Sequence, residues 1–165
     1  MSIIATLTDS FEFNRGRVES LLDSIEQMDQ PEQVLGWRPG EGRAHIAWQL
    51  MHIGITEEIF ATERLATIES SPHRQSWDRF RGGSTPDDEI PSSDEIRTVL
   101  VDGRRQLLAT LDGYNDDQLA DVIWHHPRMK VDLTLLQILH IIAFHESHHQ
   151  GQSHITLNLY KAAHG

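Results

Sequence analysis

The sequence predicts an all-α protein, a four-helix bundle. Four separate stretches carry apolar residues at helical spacing, two of their starts carry a capping box, and no stretch shows the period of two that marks a strand. The first helix runs from about Ile4 to Met28, with Leu7, Phe11, Val18, Leu21, Leu22, Ile25 and Met28 on one side and acidic residues between them. It stops near Asp29-Gln30-Pro31, because proline disfavours helix in the residue before it. A loop from Pro31 to Arg43 follows. The second helix spans about Ala44 to Ile68, with His45, Trp48, His52, Ile55 and Ile59 as its stripe.

The polar stretch from Glu69 to Pro91 is long for a bundle connection, where about 2–8 residues is usual. Trp77 and Phe80 are expected to pin its middle to the helices. Ser92 with Glu95 three residues on caps the third helix, which buries Ile96, Leu100, Leu107, Leu108 and Leu111 and ends at Gly113. Tyr114 to Val131 reads as irregular, with a turn at Asp116–Leu119. Thr134 with Gln137 then caps the fourth helix, which runs to about Lys161. At 165 residues, with 38% hydrophobic and 24% charged residues, residues 1–165 are expected to fold as a single domain.

Composition excludes several functions. There are no cysteines, which removes disulfides, thiolate ligands and cysteine nucleophiles. Any thiol chemistry would need a thiol brought by a small molecule. The net charge of −11 repels phosphate backbones and anionic lipid, so neither nucleic acid nor membrane is an expected partner. The stretch Met1 to Asp9 has no basic n-region, and no run approaches the roughly 20 apolar residues of a membrane span. A cytoplasmic address is expected.

Eleven histidines call for an explanation, since histidine is the commonest metal ligand. His145 and His149 stand one helical turn apart, about 6 Å, on one face. Counting back from His145 gives Ile142, Ile141 and Ile138, so the pair continues an apolar stripe. Two imidazoles facing an apolar interior are costly without a metal or a hydrogen-bond network. A third ligand is expected from a facing helix, where His52 sits in mid-stripe between Trp48 and Ile55. His45 competes with it from the same face, about 10 Å nearer the helix start.

His145-Glu146-Ser147-His148-His149 also matches the zinc-protease pattern H-E-x-x-H, in which Glu146 would be the general base. Downstream of His149 there is no Asp or Glu, so a protease is not favoured. Glu146 is instead expected to orient a ligand imidazole, face solvent or serve as a base for bound water. Arg38 is read as a loop brace and Trp48 as core packing. His125 and His126 are read as loop histidines, and His140, His148 and His154 as helix-flank or interface residues. Gln152 is expected to bond groups around the ligands, and Gly151 to admit a neighbouring helix.

Trp37-Arg38-Pro39, then Trp48-Gln49-Leu50-Met51-His52-Ile53, then His145 to Gln152 resemble in turn the loop signature, the W-x-L-x-H-I element and the H-D/E-x-x-H-x-G-Q element of the DinB superfamily. The resemblance spans nearly the whole chain. It implies a four-helix bundle with a three-histidine divalent metal site, carried by position onto His52, His145 and His149. Zinc or nickel is the expected ion, although ligand type alone also admits iron and copper. Relatives use such a site to activate small thiols such as bacillithiol or mycothiol for transfer, and some are described as hydrolases. The resemblance therefore implies a metal-dependent transferase or hydrolase acting on a small molecule, as a homodimer. The alternative is a non-catalytic metal-binding scaffold built on the same triad.

Overall fold

Helix starts fall where side chains can take up the free amides of the first turn. In the computed structural model, which describes residues 2–165, Ser2 caps α1 (Ile3–Glu26) by accepting from the amide of Ala5. Asp116, far along the chain, accepts from the amides of Ile3 and Ile4 at 2.7 and 3.1 Å. Met1, the first residue of the stretch read for a leader, lies outside the described residues. Ser92 accepts from the amide of Glu95 at the start of α5 (Ser93–Leu111). Thr134 and Gln137 close a reciprocal capping box at the start of α6 (Leu135–His164).

Between these long elements lie α2 (Pro31–Gly36), α3 (Ile46–Ile59) and α4 (Trp77–Phe80). Three features correct the sequence reading. The Pro31–Arg43 stretch is not all loop: Pro31 ends the approach of α1 and also occupies the first turn of α2, where its missing N–H costs nothing. The second long helix is α-helical only to Ile59 and then widens into a π-helical turn over Phe60–Arg64, closed by Leu65 N–H donating to Phe60 O at 2.9 Å. The protein is also not purely helical. Val122–His126 (β1) and Val131–Thr134 (β2) pair antiparallel, with Trp124 opposite Leu133 and His125 opposite Asp132, and the register is irregular between Val122 and Trp124.

Every residue of α3 from Ile46 to Ile59 is buried. The helix is enclosed mainly by α5 and α6. Its approach to α5 depends on two glycines: a Cβ on Gly54 would meet Val99 O at 2.7 Å, and one on Gly103 would meet Gly54 O at 2.4 Å. Gly151, expected to admit a neighbouring helix, has nothing within 4 Å of such a Cβ. The apolar core falls into two clusters. One gathers Val18, Leu22, Leu50, Ile55, Leu100 and Leu157, the other Phe11, Phe60, Leu107, Ile138, Leu139 and Ile142. No described helix is long and apolar enough to cross a membrane.

Between the two clusters lies a closed ring of charge. Arg15, Glu57, Arg104 and Glu146 come one each from α1, α3, α5 and α6, and all are at most 5% exposed. Arg15 bonds Glu146 and Glu57, each at 2.8 Å. Arg104 bonds Glu57 at 2.7 Å and Glu146 at 2.6 Å, and reaches Glu12 at 2.9 Å. Each carboxylate bridges both guanidinium groups, the arrangement that makes a buried charge tolerable.

A candidate metal centre

His52 projects from the enclosed α3, while His145 and His149 project together from one face of α6. Their ligand atoms all lie within 4.8 Å of one another. His52 Nε2 faces His145 Nε2 at 3.0 Å, close to the spacing of two nitrogens that share one ion at about 2.0–2.1 Å. No other group of three or more His, Cys, Asp or Glu side chains comes together in this way among the described residues.

Contacts behind the rings set which nitrogen is free. His52 Nδ1 lies 2.6 Å from the carbonyl of Phe80. A carbonyl can only accept, so Nδ1 carries the proton and the lone pair sits on Nε2, toward the other two histidines. The Gln49 amide oxygen accepts a hydrogen bond from His149 Nδ1–H in the same way. Trp48 stacks on His52, with ring centres 4.6 Å apart, and its indole N–H donates to Arg79 O at 3.2 Å. The Phe80–Gly82 segment covers His52 closely enough that a Cβ on Gly82 would sit 3.9 Å from His52 Cε1. His52 is 6% exposed, and His145 and His149 are half-buried, so the cluster opens on the α6 side. Gln49 also lines a cleft of about 480 Å³ with Arg43, Gln152, Ile155 and Leu159.

Burial and the mutual repulsion of the imidazolium forms push His145 down to about 2 and His149 down to about 3, and burial lowers His52 as well. All three rings are therefore neutral at pH 7, the form a metal requires. The donor set, its spacing and its protonation fit a divalent transition metal. The same shifts set a pH dependence. Each histidine has a folded-state pKa below its unfolded value of about 6.5, so the unfolded chain binds the extra protons at acid pH. Stability is full above about 6.5 and declines as pH falls from there toward 3. His45, lowered by burial, adds to the decline, and Glu58 and Glu146, raised by burial, oppose it. The urea midpoint of metal-free protein is expected to drop between pH 7 and 5, less steeply in a His145→Leu chain. A His145→Leu chain whose midpoint varies with pH just as the unaltered protein's does would contradict a neutral triad.

The remaining sequence expectations divide. His45 is not in the cluster: its Nδ1 accepts from the amide of Trp48 as the cap of α3, and its Nε2 lies 3.0 Å from Asp87 O. Glu146 faces away from the histidines. Both of its oxygens are taken by Arg15 and Arg104 in the charge ring, which corrects its expected place beside the ligands or bound water. Gln152 bonds His148 at 3.0 Å and also acts on His149 as expected, while Gln49 bonds His149 directly. Arg38 braces loops as expected, donating to Arg43 O, Pro86 O and Asp87 O. His125 and His126 belong to β1, where His125 pairs with Asp132 at 2.6 Å. Sequence reasoning missed Gln49 and the Phe80 carbonyl. Gln49 could have been found as a polar residue three positions before His52, inside an apolar run; the carbonyl leaves no sequence trace.

The family described as the DinB superfamily matches residues 10–153. No curated protein matches the chain. A crystal structure titled as that of the conserved protein of locus from Enterococcus faecalis is similar, with a TM-score of 0.69 and 18% identity over 98% of this chain and 99% of that one. At that identity the likeness speaks for the fold alone.

Proposed function

The chain belongs to the DinB superfamily, and from that premise we propose that it is a metal-dependent enzyme activating a small thiol or a water for transfer or hydrolysis. In this reading α1, α3, α5 and α6 form one four-helix bundle, and His52, His145 and His149 hold a divalent ion, zinc or nickel by ligand type. The observation that carries it is the convergence of three neutral imidazoles on one point with one side open. A closed structural site would fill its coordination with protein ligands, whereas three ligands leave a position for a reactant. When bound, the ion lowers the pKa of a coordinated thiol or water so that a nucleophile forms near neutral pH.

The chain's own residues do the rest. The Phe80 carbonyl and the Gln49 amide hold the ligand tautomers, and the Trp48 ring keeps water from one flank of His52. Because the chain has no cysteine, the thiol arrives as a cosubstrate. The test is elemental analysis of untagged protein, followed by thiol-transfer and ester- and amide-hydrolysis panels before and after chelation. The expected result is a bound transition metal and turnover in one panel that chelation removes. Metal uptake without turnover in any panel favours the scaffold alternative, and turnover that survives chelation removes the mechanism.

A further inference from the structure

Six arginines are not exposed: Arg15, Arg38, Arg64, Arg79, Arg97 and Arg104. Five of them have a carboxylate within ion-pair distance. Arg64 has neither a carboxylate nor a hydrogen-bond acceptor for its side chain among the described residues. Its guanidinium carbon lies 4.1 Å from the centre of the Phe60 ring and 4.5 Å from that of Trp124. The neighbouring Glu63 turns to Arg74 instead, at 3.5 Å. Two aromatic faces stabilise a cation, but they leave its N–H donors, which reach solvent, without an acceptor from the protein. Burial pushes Arg64 down to about 10, whereas the carboxylates around Arg104 outweigh burial and raise it.

This arrangement is built deliberately by three elements. The π-helical turn of Phe60–Arg64 carries Arg64 back over the Phe60 ring of its own helix. Tyr114 O–H donates to Leu65 O and fixes the end of that turn. The hairpin supplies the second ring, since Trp124 lies on β1. Arg64 also belongs to the neighbourhood of the triad. Phe60, on which it stacks, shares an apolar cluster with Ile138 and Ile142, the residues that lead up to His145 on α6.

We infer that Arg64, held between Phe60 and Trp124, is the anion-binding residue of the histidine site and takes the carboxylate of a small substrate or thiol whose other end reaches the triad. This rests on the metal-dependent reading above. The guanidinium offers paired, coplanar donors to the two carboxylate oxygens, and a partly desolvated setting strengthens those bonds. The half-buried Trp124 ring supplies a flat apolar wall for the rest of the ligand. A protein of net charge −11 would otherwise repel an anionic small molecule, so a local unpaired cation is what such a ligand needs.

The test uses the full chain loaded with Co²⁺, whose thiolate charge-transfer absorption reports ligation. It is titrated with 3-mercaptopropionate and with its neutral counterpart 2-mercaptoethanol. In parallel, metal-free protein is titrated with propionate and followed by tryptophan fluorescence, because Trp124 touches the guanidinium. The expected result is about tenfold or more tighter binding of the acid thiol than of the neutral one. Arg64→Met should abolish that preference by weakening the acid alone. Arg64→Lys, which keeps the charge and serves if the methionine chain does not fold, should weaken the acid severalfold and leave 2-mercaptoethanol unchanged. Equal binding of the two thiols by the unaltered protein, or a loss in Arg64→Met that affects both alike, overturns the inference and leaves a bracing role. If neither thiol ligates the cobalt while propionate binds in an Arg64-dependent way, the anion site stands and the thiol reading falls. Propionate binding indifferent to Arg64, with no thiol ligation, overturns both.

Discussion

Replacing Arg104 with methionine is expected to destabilise the fold by about 3–5 kcal/mol, because it leaves Glu57 and Glu146 buried with half their compensation removed. The loss should appear as a lower urea midpoint with an unchanged slope. The remaining cation, Arg15, cannot reach the oxygens that Arg104 served without leaving its own bonds. Removing the whole ring is a different case. Methionine at Arg15 and Arg104 with leucine at Glu57 and Glu146 replaces four desolvated charges by apolar side chains and is expected to be near neutral in stability. A single Arg104→Met chain that lost less than about 1 kcal/mol would show that water reaches the ring and compensates the carboxylates. Because each member comes from a different long helix, the ring also specifies how those helices are aligned. Any slip of one helix along its neighbours unpairs a buried charge.

The second large effect concerns the metal. His145→Ala removes one of three ligands and is expected to weaken metal binding by at least a hundredfold, more than the loss of a residue that only orients a ligand. Gln49→Ala, which frees the His149 ring to turn, should weaken it by about ten- to a hundredfold. Competition with a chromogenic chelator measures both, and far-UV circular dichroism checks that each chain stays helical. Wild-type affinity in His145→Ala would mean that the ion is held elsewhere in the protein. The predicted asymmetry between the two variants separates holding the ion from aiming a ring at it.

The sequence carried the parts of this protein that depend on local spacing. His145 and His149 could be paired because one helical turn brings them together whatever the rest of the chain does, and the isoleucines before them identified the inward face. His52 could be placed because it interrupts an apolar run. The capping side chains Ser92 and Thr134 gave two starts to within a residue. What escaped is non-local. Arg15, Glu57, Arg104 and Glu146 are scattered over the chain, and charged residues are normally read as solvated. A signal was nevertheless present: Arg15 stands between Phe11 and Val18, and Arg104 between Leu100 and Leu107, both on buried stripes. The hairpin escaped for a different reason. Its strands are short, its histidines blur the alternation, and its turn places Lys130 rather than glycine at a positive φ of 54°. The π-helical turn has no sequence signature at all, yet it aims Arg64.

The enclosure of α3 has a consequence for the order in which the protein opens. A helix buried on every side has no surface from which to fray, so its amides meet solvent only when α5 or α6 leaves, which amounts to global unfolding. The exposed turn of the hairpin at Pro127–Lys130 and the loop near Gly83 have no such protection. They can open singly while the rest of the fold persists. His52 thus rides on the slowest-exchanging part of the molecule, and Trp124 and the Phe80 carbonyl ride on elements that flank much faster ones. Traffic into and out of the histidine cluster, which is open on the α6 side, can be adjusted by local movement of the loop near Gly82 while α3 stays folded, on a timescale independent of the lifetime of the folded state.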